Sequence, residues 1–262
     1  MTIQRTWPHA EIQDDLKALR QQAPLTHCLT NVVVTGFTAN VLLATGASPA
    51  MVIAEEEAAG FAAIANALLI NLGTVTQDSA NAMERAAAAA AAAGTPWVLD
   101  PVAVGALAFR TRIATELLRH RPAIIRGNAS EILALAGVSA GGRGVDATDS
   151  SASAISAAQS LAQRSGAVVA VSGETDYITD GAQLIAVSGG HPIMTRVTGT
   201  GCALGAVMAA FLGAGIPALR AATAASAVFA HVGERAQAQA RGPGSFAVAL
   251  IDELALIGSE TA

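Results

Sequence analysis

The stretch 67-ALLINLGTVTQDSANAMERAAAAAAAAGTPWVLD-100 decides the fold. Two short runs, 67-ALLIN-71 and 96-PWVLD-100, flank a helical stretch, 76-TQDSANAMERAAAAAAAAG-94. Both runs are apolar at successive positions, the pattern of a strand covered on both faces. The run Ala86 to Ala93 is low in complexity, but alanine is the best helix former and Gly94 suits a helix stop. The spacing therefore predicts a packed helix rather than a linker.

The same alternation extends in both directions. Further strands are expected at 49-PAMVI-53, 123-AIIRG-127 and 167-AVVAVSG-173. Helices are expected at 55-EEEAAGFAAIAN-66, 107-LAFRTRIATELLRH-120 and 148-TDSSASAISAAQSLAQRSG-166, after an amphipathic opening helix at 11-EIQDDLKALRQQ-22. Strands alternating with helices predict an α/β fold of three layers, α/β/α, around a mostly parallel sheet. Asp180-Gly181 inside 177-YITDGAQLIAV-187 is a hairpin signal, so the sheet is expected to be mixed. Three helical stretches close the chain, 202-CALGAVMAAFLGA-214, 217-PALRAATAASAVFAHVGERAQAQ-239 and 245-SFAVALIDELALIG-258. Pro217 suits a first helical turn and Ser245 a cap. With no linker or internal repeat, residues 1–262 read as one domain without a separate lid.

The composition narrows the function. The chain is 52% hydrophobic and 13% charged, so it must bury much of its surface in a deep core or an oligomer interface. A net charge of -5 and no basic patch argue against a nucleic-acid partner. The uncharged runs between Arg20 and Glu55 and between Arg196 and Arg220 are broken by Thr30, Asn31, Asn40, Ser48 and Pro49, and by Thr198 to Gly201 and Pro217. They read as buried segments rather than membrane spans. The start, MTIQRTWPHAEIQDD, lacks the apolar region of a secretory signal, and two cysteines, Cys28 and Cys202, make no disulfide framework. A cytoplasmic compartment is expected. Lys17 is the only lysine, which argues against Schiff-base chemistry and a P-loop.

Ligands of open α/β sheets bind outside the carboxyl ends of the strands. Three candidate strands end in polar sets: Asp100-Pro101, Arg126-Gly127-Asn128 with Glu131 one turn on, and Ser172-Gly173-Glu174. Asp100 could form a turn, and Asn128 with Glu131 could form a capping box, a role compatible with a site. Arg126 after an apolar strand calls for a carboxylate or phosphate partner. Glu55 to Glu57 complement a helix dipole. His120, His191 and His231 lack zinc-ligand spacing.

The second informative stretch is 197-VTGTGCALGA-206. Glycines let backbone amides approach an anion, and a following helix adds its positive end. In a chain with one lysine this is the economical way to hold a phosphate. A dinucleotide-binding turn is disfavoured because no βαβ unit follows, and Arg220 stands near where that motif wants an acid. The spacing G-x-G-x-x-x-G alone is weak evidence. Cysteine at a helix start has a lowered pKa, roughly 3.5 to 7.5 against about 8.5 when free. Cys202 is thus expected to approach a thiolate that attacks a substrate or takes a proton, with an inert buried cysteine as the alternative. Cys28, in 27-HCLTN-31, reads as structural.

Together, 24-PLTHCLTNVVVTGFTANVLLATGASPAM-51, 99-LDPVAVGA-106, 126-RGNASE-131, 144-GVDA-147, 171-VSGETDYITDG-181 and 197-VTGTGCALGA-206 resemble the hydroxyethylthiazole kinase family of the ribokinase-like superfamily. The resemblance runs from Pro24 to the final helices. It implies a ribokinase-like fold and ATP-dependent phosphorylation of the alcohol of 4-methyl-5-(2-hydroxyethyl)thiazole, a salvage step toward thiamine. It also implies a homotrimer with active sites at subunit interfaces. Gly199, Thr200, Gly201 and Cys202 would form the anion hole, with Cys202 where most of the superfamily has an aspartate base. Asp100 and Glu131 would organise Mg2+, directly or through waters. Arg126 and Ser172, with Asn128 and Thr198, would contact ATP. Met51, Gly199 and Asn31 would line the thiazole pocket. The alternatives are a kinase for a pyrimidine or pyridoxine-type alcohol, a cysteine hydrolase and a non-catalytic nucleotide-binding module.

Overall fold

A computed structural model describes residues 2–138 and 150–258. The motif 144-GVDA-147 and the first two residues of the stretch expected at 148–166 lie outside the described residues.

Nine strands form one sheet: β1 (Thr2–Gln4), β2 (Leu25–Leu29), β3 (Ser48–Ala50), β4 (Ala67–Asn71), β5 (Trp97–Asp100), β6 (Ile124–Asn128), β7 (Val168–Ser172), β8 (Thr175–Thr179) and β9 (Leu184–Ser188). Their order is β1-β9-β8-β7-β6-β5-β4-β2-β3. Neighbours from β7 through β3 run parallel, and β8 is antiparallel to both β7 and β9. The sheet is therefore mostly parallel and mixed, with the hairpin where Asp180-Gly181 places it.

Successive residues of 67-ALLIN-71 serve opposite layers. Ala67 and Leu69 belong to one core with helices α1 (Ala10–Gln22), α2 (Thr35–Thr45), α8 (Thr200–Gly213), α9 (Ala218–Gln239) and α10 (Pro243–Leu256). Leu68 and Ile70 belong to the other, with α3 (Glu55–Ile64), α4 (Gln77–Ala93), α5 (Ala108–Leu117), α6 (Ala129–Leu135) and α7 (Ile155–Ser165). The alanine-rich α4 packs through Met83, Ala86, Ala87 and Ala90, a spacing that keeps one helical face inward. Thr76 and Ser79 cap its start reciprocally, and Gly94, at φ +75°, ends it.

Several boundaries differ from the sequence reading. The strand expected at 49–53 is β3, which pairs only with β2 and ends at Ala50, so Met51 lies beyond it. Two strands went unread. β1 is a short edge strand, and β2 carries Thr26 and His27, polar residues buried inside the sheet. Pro217 caps α9 instead of opening it. Ser245 caps α10 from within its first turn, accepting from Arg241 N–H at 2.9 Å and Gly242 N–H at 3.2 Å. Arg220 pairs with Asp15 and Glu11 on α1, a structural role. Among the described residues, no helix is long and apolar enough to cross a membrane.

Candidate active site

Parallel pairing brings the carboxyl ends of β2, β4, β5, β6 and β7 to one rim. Register sets Asn71 beside Asp100, and Asn71 Nδ2 donates to Asp100 Oδ2 at 2.7 Å. Arg126 reaches the same oxygen with Nη1 at 3.6 Å and donates through Nε to Ser172 Oγ at 3.1 Å. Asp100 is 0% exposed, and its Oδ1 has no hydrogen-bond partner among the described residues.

The start of α8 is built against this cluster. Gly199 caps the helix at φ +98°, and a Cβ there would sit 2.7 Å from Val34 Cγ1. A Cβ on Gly201 would lie 3.0 Å from Arg126 Nη2, so the guanidinium rests against the first turn. Thr200 Oγ donates to Val197 O at 3.0 Å. Cys202 follows in the same turn, and Asn31 Nδ2 donates to its sulfur at 3.4 Å.

The charges are mutually perturbed. Burial pushes the Asp100 carboxyl up to about 7, against the opposing pull of Arg126. Burial also works against the charge on Arg126, but Asp100, Glu131, Asp176 and Cys202 outweigh it and hold the guanidinium above its ordinary value. The lowered pKa expected for Cys202 is not found. Burial, and then the Asp100 charge, raise the thiol, while Asn71, Arg126 and Asn31 only partly oppose them. Proximity to a helix start does not compensate for desolvation beside a carboxylate. Cys28 is 0% exposed and burial pushes its thiol up to about 12, in keeping with a structural cysteine.

This rim of an α/β/α sheet, with an amide-rich helix start over an Asp–Arg pair, is suited to holding an anion and a cation together. A family model described as the hydroxyethylthiazole kinase family matches residues 16–260. The chain belongs to the hydroxyethylthiazole kinase family. A hydroxyethylthiazole kinase of Leptospira interrogans is 60% identical over 258 residues, which are 98% of this chain and 97% of that one. The structure of a hydroxyethylthiazole kinase protein from Pyrococcus horikoshii OT3 is 40% identical, with a TM-score of 0.87 and 96% of each chain covered. A ribokinase-like superfamily protein from Enterococcus faecalis is 12% identical at TM-score 0.62, covering 97% of this chain and 91% of that one. It shares the fold alone.

In this hydroxyethylthiazole kinase family member the structure brings Asn31, Asp100, Arg126, Ser172 and Gly199 to Cys202 into one cluster. Met51 lies just past β3, at the same end of the sheet as Asn31. Thr198 is exposed before α8. Asn128 and Glu131 form the capping box of α6: Asn128 Oδ1 accepts from Glu131 N–H at 2.9 Å, and Glu131 Oε2 from Asn128 N–H at 2.8 Å. Glu131 Oε1 accepts from Ala103 N–H at 2.9 Å, so this carboxylate ties α6 to the loop after Asp100.

Two polar residues of the cluster were missed. Asn71 ends β4 as Asp100 ends β5, so the strand-end rule applied to Asp100 would have found it. Asp176 accepts from Gly173 N–H at 3.0 Å and Ser226 Oγ at 2.8 Å, and its charge acts on Arg126. It sits inside a strand and no sequence pattern singles it out.

Proposed function

We propose that this chain transfers the γ-phosphoryl group of ATP to the hydroxyethyl alcohol of 4-methyl-5-(2-hydroxyethyl)thiazole, a salvage step toward thiamine. The observation that carries the reading is the convergence of the buried Asp100–Arg126 pair with the start of α8, in a chain of this family. Kinship at this level favours the thiazole over a pyrimidine or pyridoxine-type alcohol.

The alcohol oxygen forms a bond to the γ-phosphorus, the bond to the β-phosphate bridging oxygen breaks, and ADP leaves. Catalysis of this kind is mostly positioning and charge stabilisation. The amides of Gly199, Thr200, Gly201 and Cys202 take the transferring oxygens, where α8 adds the positive end of its dipole. Arg126 holds phosphate charge, fixed by Asp100 and Ser172, with Asn128 and Thr198 on the nucleotide side. Met51, Gly199 and Asn31 line the thiazole pocket.

Mg2+ suits this donor set. Asp100 Oδ1 is a buried carboxylate oxygen without a partner, while Glu131 already accepts two backbone N–H bonds and would act through water. Mg2+ takes one or two carboxylates and fills the rest of its shell with waters and phosphates, so Asp100 with Glu131 is a sufficient protein contribution. When bound, Mg2+ would neutralise charge on the phosphates. Cys202 would receive the alcohol proton only as its thiolate, the form that burial disfavours. In a loose transition state the alcohol keeps its proton until the new bond has formed, and the acidified proton then passes to that minor thiolate.

Exposed Val32, Val33, Leu43, Ile53 and Ile64 all fall in the segment around β2 and β3, at one end of the sheet. They support a homotrimer with active sites at the subunit interfaces, and a mass measurement in solution tests it. We also read residues 1–262 as one kinase domain acting in the cytoplasm. Incubating the purified protein with ATP, Mg2+ and the thiazole should yield the phosphorylated thiazole. No product at ample enzyme refutes the assignment.

A further inference from the structure

Asn71 is 0% exposed, and no role proposed above uses it. The backbone fixes the direction of its amide. Gly73 N–H, which can only donate, meets Asn71 Oδ1 at 2.9 Å. Nδ2 must then be the atom facing Asp100 Oδ2 at 2.7 Å. Oδ1 accepts a second bond from Asn31 Nδ2 at 2.9 Å, and that same nitrogen donates to Cys202 Sγ at 3.4 Å. The turn after β4 is pressed against this network, since a Cβ on Gly73 would come within 2.7 Å of Asn31 Nδ2.

One backbone N–H thus sets the polarity of two branches. On the first, the Asp100 oxygens become unequal. Asn71 and Arg126 engage Oδ2, and Oδ1 is left without a partner among the described residues. On the second, Asn31 cannot reverse its amide without setting oxygen against oxygen at Asn71, so its N–H stays on the Cys202 sulfur.

We propose that Asn71 is a positioning residue for phosphoryl transfer. Its NH2 group holds Asp100 so that Oδ1 is the oxygen presented to the reaction, and its carbonyl oxygen holds the Asn31 N–H on Cys202. The proposal rests on the kinase reading above.

Asn71→Asp keeps size and the acceptor for Asn31 and Gly73 but replaces the fixed N–H donor with a carboxyl facing Asp100 at the same distance, so the two carboxyls repel or share one proton and Asp100 loses its fixed orientation. In steady-state kinetics its kcat falls on the order of ten- to a hundredfold, the usual loss for a partner once removed from a cation site, while KM for the thiazole holds. Asn71→Ala loses both branches, so kcat falls and thiazole KM rises. The kcat effect of Asn71→Asp should vanish in an Asp100→Asn background, and the KM effect of Asn71→Ala in an Asn31→Ala background. Full-size losses in both backgrounds, or identical kinetics for the two variants, overturn the proposal. A crystal structure of Asn71→Ala supplies a readout independent of turnover. Asp100 and the Asn31 amide should both have turned, and finding both unmoved overturns the proposal as well. Asn71→Ser replaces the alanine variant if that does not fold. Wild-type turnover of the thiazole is measured alongside: its absence sinks the kinase reading, and the crystal structure still decides the role of Asn71.

Discussion

Replacing Gly201 with alanine should separate stability from activity at the start of α8. Gly201 is the second residue of the helix, where alanine is favoured over glycine by up to about 1 kcal/mol. The new methyl would lie 3.0 Å from Arg126 Nη2 and 3.2 Å from Nη1. Carbon contacts settle near 3.5 to 4.0 Å, so the guanidinium must retreat by roughly half an ångström. Its bond to Ser172 Oγ is already 3.1 Å, near the long end for N–H···O, and its approach to Asp100 Oδ2 is 3.6 Å. Losing a charge-assisted bond costs about 1.5 to 3 kcal/mol, and the helix gain offsets part of it. The net loss of stability is about 1 to 2 kcal/mol, or roughly 2 to 8 °C in Tm for a chain of this size. Activity should fall further. Moving Arg126 off the phosphates should lower kcat/KM for ATP at least about tenfold, equivalent to about 1.4 kcal/mol of transition-state binding. Thermal unfolding followed by fluorescence and initial rates at varied ATP measure the two quantities on one preparation. Unchanged kcat/KM for ATP would refute the placement of Arg126, and a Tm loss well beyond that range would mean the site fails through unfolding.

Gly199→Ala should behave in the opposite way. A non-glycine residue at φ +98° costs about 1 to 2 kcal/mol, and a methyl 2.7 Å from Val34 Cγ1 adds overpacking of about 1 to 3 kcal/mol. Urea titration should show a destabilisation of about 2 to 5 kcal/mol, partly recovered by Val34→Ala. His27 predicts a loss of stability in acid. Its Nε2 sits 2.7 Å from Val52 O and so carries the proton, while its buried Nδ1 has no partner, and burial lowers its pKa. The unfolded chain therefore binds a proton that the folded chain refuses, so stability is complete above about 6.5 and falls as pH drops from there toward the lowered folded value. Denaturation at pH 7.5 and 5.5 measures this, and His27→Gln should flatten the dependence. For Cys202, Cys202→Asp should keep or raise turnover if the residue accepts a proton. A phosphorylated cysteine trapped in the wild type would overturn that role.

The layers of the fold were legible because burial on both sheet faces leaves a mark in composition. Leu68 and Leu69 are adjacent and both are buried, in opposite cores. No amphipathic strand could carry that pair. β2 escaped for the converse reason. Thr26 Oγ1 donates to Pro24 O and His27 Nε2 to Val52 O, both just outside the strands, while His27 Nδ1 stays buried without a partner among the described residues. A strand inside the sheet then reads as polar although four of its five residues are buried. Capping boxes show the same limit. The Asn128–Glu131 spacing was readable as a cap, and the cap is there. That Glu131 also ties down the loop after Asp100 depends on a contact 28 residues away.

The site divides along the same line. Strand ends supplied Asp100, Arg126 and Ser172, because polar residues at the carboxyl ends of buried strands have no folding role to explain them. What local sequence could not supply was the sign of the perturbation at Cys202. A helix start alone argues for a thiolate. The residue is instead flanked by a buried carboxylate on the neighbouring layer, and desolvation acts on both. Electrostatics in a buried cluster belongs to the whole set of charges, and here that set is assembled from three strands and two helices: Asp100 on β5, Arg126 on β6, Asp176 on β8, Glu131 on α6 and Cys202 on α8. The scarcity of lysine makes sense at that level. The amides of α8 and the single guanidinium of Arg126 are held rigid by Asp100, Ser172 and close glycine contacts, and can receive an anion with little reorganisation. A flexible lysine would have to be ordered on each turnover.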